Sequence, residues 1–312
     1  MAKQSNTEKM AEVVERLTEM VTATGTLPWN RPWVAAELSV PTSAVTGKAY
    51  RGVNYWTLGM AGQMIAPTEP NVWATYKQIK AEGGQVRKGE KSMVAVLWKP
   101  VEKVVDGEKE KFLLLRTFNV FHWTQADWES EPREVRKARE RMADRPNAAE
   151  AHAAAELVIE GYLSNGGPRF EEGGDRAFYS PAQDKVVVPE ADQFLSTDGR
   201  YRTIFHELAH STGHKDRLAR EGVTDISMFG SERYSREELV AEMTAAILAD
   251  HVGIDSAGDG GHNGETNSAA YIQSWLKALK DDPMALSHAS GRSLTAAEHI
   301  IEAGLAEEAA VA

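Results

Sequence analysis

"TIFHELAHSTGHKDR", residues 203–217, places His206, Glu207, His210 and His214 within nine residues of a 312-residue chain that has only nine histidines. In a helix of about 3.6 residues per turn, positions four apart stand one above the other, so the rings of His206 and His210 project from one face. Two imidazoles so stacked can hold one metal ion. Glu207, about 100° round the helix, reaches a water beside that ion without ligating it. This is the residue set that metal-assisted hydrolysis needs. The flanking sequence supports a helix here. "KVVV", Lys185–Val188, reads as a strand closed by Pro189, and the turn "STDG" offers Ser196, Thr197 or Asp198 as N-cap. A helix from about Gly199 then carries the motif to Gly213, a residue suited to the left-handed conformation past a helix end.

At 312 residues the chain exceeds one average domain, and two domains is the simplest organisation. Apolar residues make up 42 %, enough to build real cores. The chain has no cysteine, which excludes disulfide frameworks, thiolate-bound zinc and thiol catalysis, and leaves His and carboxylate as the metal's ligands. The N-terminus "MAKQSNTEKMAEVVERLTEM" is polar and amphipathic without an apolar signal core. No run approaches the roughly 20 apolar residues of a membrane span. A cytoplasmic protein with no membrane partner is the expectation.

The net charge of −11 is unevenly divided. Residues 1–130 hold 16 Lys and Arg against 14 Asp and Glu, whereas residues 131–312 hold 19 against 32. Seven of the eight tryptophans also fall in the first part, with Trp275 alone outside it. Between the parts, "ESEPREVRKARERMADRPNAAEA" is charged, contains Pro132 and Pro146, and has Val135 and Met142 as its large apolar residues. It reads as a solvated, partly helical linker. The division expected is therefore a first domain over 1–130, a charged linker over 131–148 and a second domain over 149–312.

The first domain opens with an amphipathic helix over Asn6–Val21, apolar at Met10, Val13, Val14, Leu17 and Met20. "LPWNRPW" and then "PTSAVTGKAYRGVNYWTL" read as extended chain because of their prolines. "NVWATYKQIKAEGG" reads as a short helix through Lys80, followed by a basic loop. "KSMVAVLWKPV" and "KFLLLRTFNVFHW", separated by "DGEKE", read as two antiparallel strands. Rings interleaved with cations suit single-stranded nucleic acid, since a ring stacks on any base and a cation follows the phosphates. The candidates are Trp29, Arg31, Trp33, Tyr50, Arg51, Asn54, Tyr55, Trp56, Lys77, Arg87, Lys88 and Lys91. Against this stand the habit of tryptophan to fill cores and the near-neutral charge of the domain.

"PWNRPW", "TGKAYRGVNYWTL", "TYKQIKAEGGQVRKGEKS" and "FNVFHWTQ", in this order, resemble the N-terminal domain of ArdC-type antirestriction proteins, a domain shared with the conjugative plasmid primase TraC. "DKVVVPEADQF", "FHELAHSTGHKDRL", "YSREELVAEMTAAIL" and "AAYIQSWLKALKDD" resemble the second part of the same family. The resemblance implies an α+β chain of two domains, a small mixed N-terminal single-stranded-DNA-binding domain and a C-terminal zincin-like, gluzincin-type metallopeptidase domain. It implies protection of mobile-element DNA from host restriction. Its partners would be single-stranded DNA and a restriction enzyme or other DNA-bound protein.

A hydrolytic zinc takes three protein ligands and keeps one position for water. Three residues compete for the third place. His214 follows Gly213 and could swing back, while Asp216 occupies the position where the metzincin pattern has histidine. On the next helix, "SREELVAEMTAAILADHV" beginning after Tyr234, Ser235 and Glu238 fit a capping box, and Glu238 and Glu242 share one face. That helix resembles the gluzincin arrangement, in which a glutamate on a second helix is the third ligand and an acid four residues later orients a ligating histidine. The resemblance implies His206, His210 and Glu238 as metal ligands, Glu242 behind them and Glu207 as the general base, with Asp216 the alternative third ligand. Zn2+ is the expected ion, with Mn2+ or another divalent metal as alternatives. A peptide would lie along an edge strand, Lys185–Val188, and nothing ranks Tyr179, Tyr201, Tyr234 and Tyr271 as oxyanion donors. Two other readings compete: a non-catalytic binding module with a structural metal, and a regulatory cytoplasmic peptidase resembling the SprT and ImmA groups.

Overall fold

The computed structural model describes residues 4–29, 40–105, 108–144, 146–224, 232–254 and 269–306, with backbone alone at 103–105, 108–110, 222, 224 and 232–235. The chain is a mixed α+β protein of two compact units. The first unit comprises Met1–Thr24, Glu37–Asp144 and Lys277–Met284, and the second Gly25–Ala36, Arg145–Leu276 and Ala285–Ala312.

In the first unit, α1 (Asn6–Thr24) buries Met10, Val13, Val14, Leu17, Met20 and Val21, the stripe its spacing predicts. After β1 (Thr42–Ser43) comes α2 (Val53–Ile65), where the sequence suggested extended chain. The prolines explain the difference, because Pro41 and Pro67 bracket the stretch and none falls inside it. Next are β2 (Val72–Ala74), α3 (Tyr76–Ala81) and β3 (Gln85–Val86). The long hairpin of β4 (Met93–Val105) and β5 (Glu108–His122) keeps one register from Met93 opposite Val120 to Val105 opposite Glu108. Its Asp106-Gly107 turn lies outside the described residues. The sheet runs β1-β2-β5-β4, and β3 pairs with β6 (Ala126–Asp127). Both α1 and α2 pack on the hairpin and bury Trp56, Leu58, Ala95, Val96, Leu115 and Val120.

Two asparagines complete this sheet. The Asn54 amide donates to the carbonyl of Val96 at 2.8 Å and accepts from its N–H at 2.8 Å, on the open side of the outer strand β4. Asn6 does the same on β5, donating to the Leu113 carbonyl and accepting from the Leu115 N–H, each at 3.0 Å. A primary amide offers the donor and acceptor of a peptide group, so both satisfy strand atoms that an unpaired stretch leaves open.

The stretch expected to be a solvated, partly helical linker forms a helix, α4 (Arg133–Ala143), that is docked rather than solvated. Val135 and Ala138 are buried, and Arg139 holds Glu69 at 2.7 Å and also Glu131 while lying over the Trp123 ring. A charged sequence hides the docking of a helix well when only two of its positions face the core. The first unit accordingly runs to Asp144.

In the second unit, α5 (Ala148–Ser164) starts from a capping box of Asn147 and Glu150. A three-stranded sheet follows, made of β7 (Arg169–Glu172), β8 (Phe178–Ser180) and β9 (Lys185–Val188) in the order β7-β9-β8. Thus β9, expected at the edge, is the central strand, parallel to β7 and antiparallel to β8. Its Val186 and Val188 are fully buried, which an edge position does not require. Then come α6 (Thr197–Ser211), α7 (Glu221–Thr224), α8 (Glu232–Val252), α9 (Ala269–Asp281) and α10 (Pro283–Gly304). One core joins α5, the sheet, α6, α8 and α10 through Tyr162, Val186, Phe205, Leu208, Leu248 and Ile300. Helices α5 and α10 cross at Gly161, where a Cβ would stand 2.0 Å from the Gly304 carbonyl oxygen. Among the described residues no helix is long and apolar enough to cross a membrane.

Candidate functional site

Helix α6 begins at Ser196, whose hydroxyl accepts from the Gly199 N–H at 3.0 Å, and it ends at Ser211. Gly213 does not adopt the left-handed conformation expected of it. It is glycine because a Cβ there would stand 2.5 Å from Val223 Cγ2 and 3.1 Å from a guanidinium nitrogen of Arg220. Every residue from Tyr201 to Ala209 is buried, polar ones included. A helix that buries Arg202, His206 and Glu207 is costly unless each finds partners, so its neighbours must be read as part of the site.

Two arginines fasten the far end of α6. The Arg217 guanidinium donates to the Ser211 carbonyl at 2.7 Å, to Asp184 Oδ2 at 3.0 Å and to the Tyr179 hydroxyl at 3.2 Å, which ties the helix to the β8–β9 turn. Arg220, on the other side, donates to the Ala209 carbonyl at 2.8 Å and to the Thr212 hydroxyl. It also grips both oxygens of Glu237 on α8, at 3.1 and 2.5 Å.

Helix α8 packs along α6 and brings Glu238 over the two histidines. His206 Nε2 and His210 Nε2 are 3.1 Å apart. Glu238 stands 3.5 Å from the first and 3.4 Å from the second. Two donors each about 2.0–2.1 Å from a tetrahedral ion are themselves about 3.3 Å apart, so these spacings fit one divalent cation among the three residues. His206, His210 and Glu238 are the one metal-competent group among the described residues. Asp216 is not in it: the chain turns away after Gly213, and Asp216 is exposed, 3.5 Å from His214 Nδ1. His214 is likewise outside the group. Helix α8 starts at Glu232, so Ser235 lies inside it and the expected capping box is not what holds Glu238.

The acids and the imidazoles of the site favour each other's charged forms. Burial opposes charge on both rings, but hydrogen bonds donated to Glu237 and Glu238 push His210 up to about 10, and Glu238 with the nearby carboxylates holds His206 above its ordinary value. Glu238 is driven far below the usual carboxylate range: burial raises it, and the two imidazoles outweigh burial. The acid that touches His210 Nδ1, at 3.5 Å, is Glu237. Glu242 accepts from the Tyr271 hydroxyl at 3.0 Å and contributes negative charge near His206. Tyr271 also takes a hydrogen bond from Trp275, whose ring meets Trp29 edge-on at 6.2 Å. Tyr179 is engaged by Asp184 and Arg217, Tyr201 donates to Glu156, and the side chain of Tyr234 lies outside the described residues. Among the tyrosines with described side chains, Tyr271 is thus the one whose hydroxyl stands against Glu242.

Sequence reasoning missed Arg220 and Glu237. A cation just past a helix end is a signal for the last carbonyls, which Arg220 does bind. Nothing in the sequence tells that Glu237, beside the ligand rather than one turn from it, reaches the histidine.

Among the described residues, the nucleic-acid candidates of the first part divide between buried and exposed positions. Trp56 and Asn54 are buried in the first unit. Trp29 is 0 % exposed and belongs to the second unit, against Trp275. A base could stack on either ring only if a core opened. Arg31 and Trp33 lie outside the described residues. Tyr55 is partly buried, edge-on to Trp56, and Tyr50 is partly buried, with burial lifting its phenol to about 12. Arg51, Lys77, Arg87, Lys88 and Lys91 are exposed. Of these, Arg87 already meets Glu90 at 3.2 Å, Asp127 at 3.5 Å and the Thr124 carbonyl.

Comparison with known proteins agrees with this two-part construction. Residues 5–140 match the N-terminal domain of anti-restriction factor ArdC, and residues 157–292 match a zincin-like metallopeptidase family. Two Escherichia coli proteins named DNA primase TraC are 36 % and 34 % identical over 89 % of this chain. The chain spans only 19 % and 26 % of their length. A Sinorhizobium fredii protein, y4eC, is 29 % identical over 90 % of this chain and 89 % of its own. The crystal structure of the antirestriction protein ArdC from plasmid R388, in its metal-free form, superposes with a TM-score of 0.70 at 29 % identity, covering 95 % of this chain and 98 % of that one. Its Mn(II)-bound form gives 0.70 at 30 % identity over 95 % and 97 %. With the fold, the histidine pair and the glutamate of the second helix in place, the chain belongs to the ArdC-type antirestriction proteins, an ArdC N-terminal domain joined to a zincin-like metallopeptidase domain.

Proposed function

We propose that this protein shields DNA arriving with a mobile element from host restriction in the cytoplasm. Its first unit holds single-stranded DNA, and its second unit is a metal-dependent endopeptidase acting on a restriction enzyme or another protein close to that DNA. The observation that carries the reading is the set of three donors, His206, His210 and Glu238, at 3.1–3.5 Å spacings. The first of them, His206, is followed directly by a buried carboxylate, Glu207. Zinc is the ion proposed, with manganese, seen in the R388 relative, as the alternative. When bound, such an ion polarises a peptide carbonyl and acidifies water. Glu207 accepts the proton and returns it to the leaving amine. The peptide pairs with the outer edge of β8, the edge strand that packs on α6, in place of the central β9.

The test compares wild type with Glu207→Gln for metal content, proteolysis of candidate DNA-bound proteins and protection of incoming DNA. The reading expects metal retained while proteolysis and protection are lost together. Protection that survives the substitution supports the second reading, a non-catalytic module. The acidity of residues 131–312, 19 basic against 32 acidic side chains, favours that module as a docking surface for a restriction enzyme.

A further inference from the structure

We infer that Arg220 and Glu237 are a positioning pair that sets the orientation and tautomer of His210, and through it how tightly the ion is held. The inference rests on the metal-centre reading and extends it to two residues outside the ligand set. A histidine that ligates through one ring nitrogen carries its proton on the other, and what accepts that proton fixes the ring. For His210 the nitrogen facing Glu238 and His206 is Nε2, and the opposite nitrogen, Nδ1, is 3.5 Å from Glu237 Oε1.

Glu237 is itself immobilised. Its side chain is 6 % exposed and that of Arg220 5 %, and the guanidinium takes both carboxylate oxygens. The same guanidinium is pinned to α6 by the Ala209 carbonyl and the Thr212 hydroxyl, beside Gly213, where no side chain would fit. The end of the helix that carries His210 and the acid that orients it are thus referred to one fork-shaped cation. Lysine cannot replace it, because a point charge does not bind two oxygens and two helix-end acceptors in one plane. For His210 the orienting acid precedes the candidate ligand by one residue, beside Glu242, the acid one turn later, which accepts from Tyr271 and adds negative charge near His206.

The experiment measures Mn(II) and Zn(II) affinity of the full chain by chelator competition, together with thermal unfolding of the ion-free protein. It uses wild type, Glu237→Gln, Glu237→Asp and Arg220→Lys. The expected result is a loss of about 10–100-fold in affinity for Glu237→Gln, part of it restored in Glu237→Asp, and a similar loss for Arg220→Lys. Nitrogen NMR of the zinc-loaded wild type should show the His210 proton on Nδ1. If the variants unfold at lower temperature but bind the ion as tightly as wild type, the pair is only structural and the inference falls. Should Arg220→Lys not fold, the isosteric Glu237→Gln decides alone. A wild type that takes up neither ion overturns the metal centre itself, an outcome distinct from equal affinities, and the inference with it.

Discussion

The second unit builds its candidate site from buried residues on two packed helices, whereas the candidates of the first unit divide between a core and a surface. In the second, His206, Glu207 and Glu237 are buried, and the three candidate donors face one another. In the first, Trp56 and Asn54 lie inside and Lys77, Lys88 and Lys91 outside. The contrast reflects what each chemistry demands. Holding an ion with an open corner needs donors fixed within tenths of an ångström, which only packed elements supply. Following a flexible polyanion needs exposed cations and asks little of their spacing.

The largest effects should come from the ligands. His206→Ala, His210→Ala or Glu238→Ala should remove stoichiometric metal, while Asp216→Ala leaves it in place, as elemental analysis of the four purified proteins would reveal. Metal retained by Glu238→Ala and lost by Asp216→Ala would reverse the assignment. Next, Glu207→Gln should keep the ion but slow peptide hydrolysis by about 10²–10⁴-fold, read in initial rates on an unstructured protein.

How much of this could be read from the sequence follows the same divide. The histidine pair was legible because its geometry is local: four residues on one helix decide it. The third candidate donor was not local, since Glu238 lies on a helix that begins at Glu232, beyond α7; it was singled out by likeness to other two-helix sites. Glu237 stayed hidden because adjacent helical residues point about 100° apart, and only the crossing of α8 over α6 lets Glu237 and Glu238 both reach His210. In the first unit the period of α1 and the alternation of the hairpin were plain, but α2 was not. Its apolar residues run nearly all round, so no stripe announces a helix. The same burial on every side is why Trp56, read as a stacking platform, is core.

Two tests of intermediate size follow from burial and charge. Trp56→Ala should destabilise the first unit by about 3–5 kcal/mol, the cost of emptying a large buried site, and chemical denaturation measures it. A ring that stacks on bases instead would tolerate alanine with little loss of stability. In the second unit, His210 is raised from 6.5 to about 10, so in the ion-free protein it contributes stability present below 6.5 and lost as pH rises through about 10. An incoming cation must displace that proton. Metal affinity should therefore climb between pH 6.5 and 8.5, by up to about tenfold per pH unit for each proton released. An affinity flat over that window would mean that the ring carries no proton to lose.

The smallest effects belong to the exposed cations and separate two kinds of surface charge. A lysine that neutralises a phosphate on single-stranded DNA releases about 0.7 of a counterion, so Lys88→Gln or Lys91→Gln should lower the slope of log affinity against log salt by about 0.7 with the fold unchanged. Arg87 should behave differently. Its guanidinium is already met by Glu90, Asp127 and the Thr124 carbonyl, so it can reach a phosphate only by giving up those partners. Arg87→Gln should thus leave the slope where it was and loosen the loop that joins β3 to β4. A slope that falls for Arg87 and not for Lys88 or Lys91 would show that the nucleic acid competes directly with Glu90 and Asp127. The first unit would then present its interface through that same ion-pair cluster, and rigid positioning would matter there as it does around the histidines.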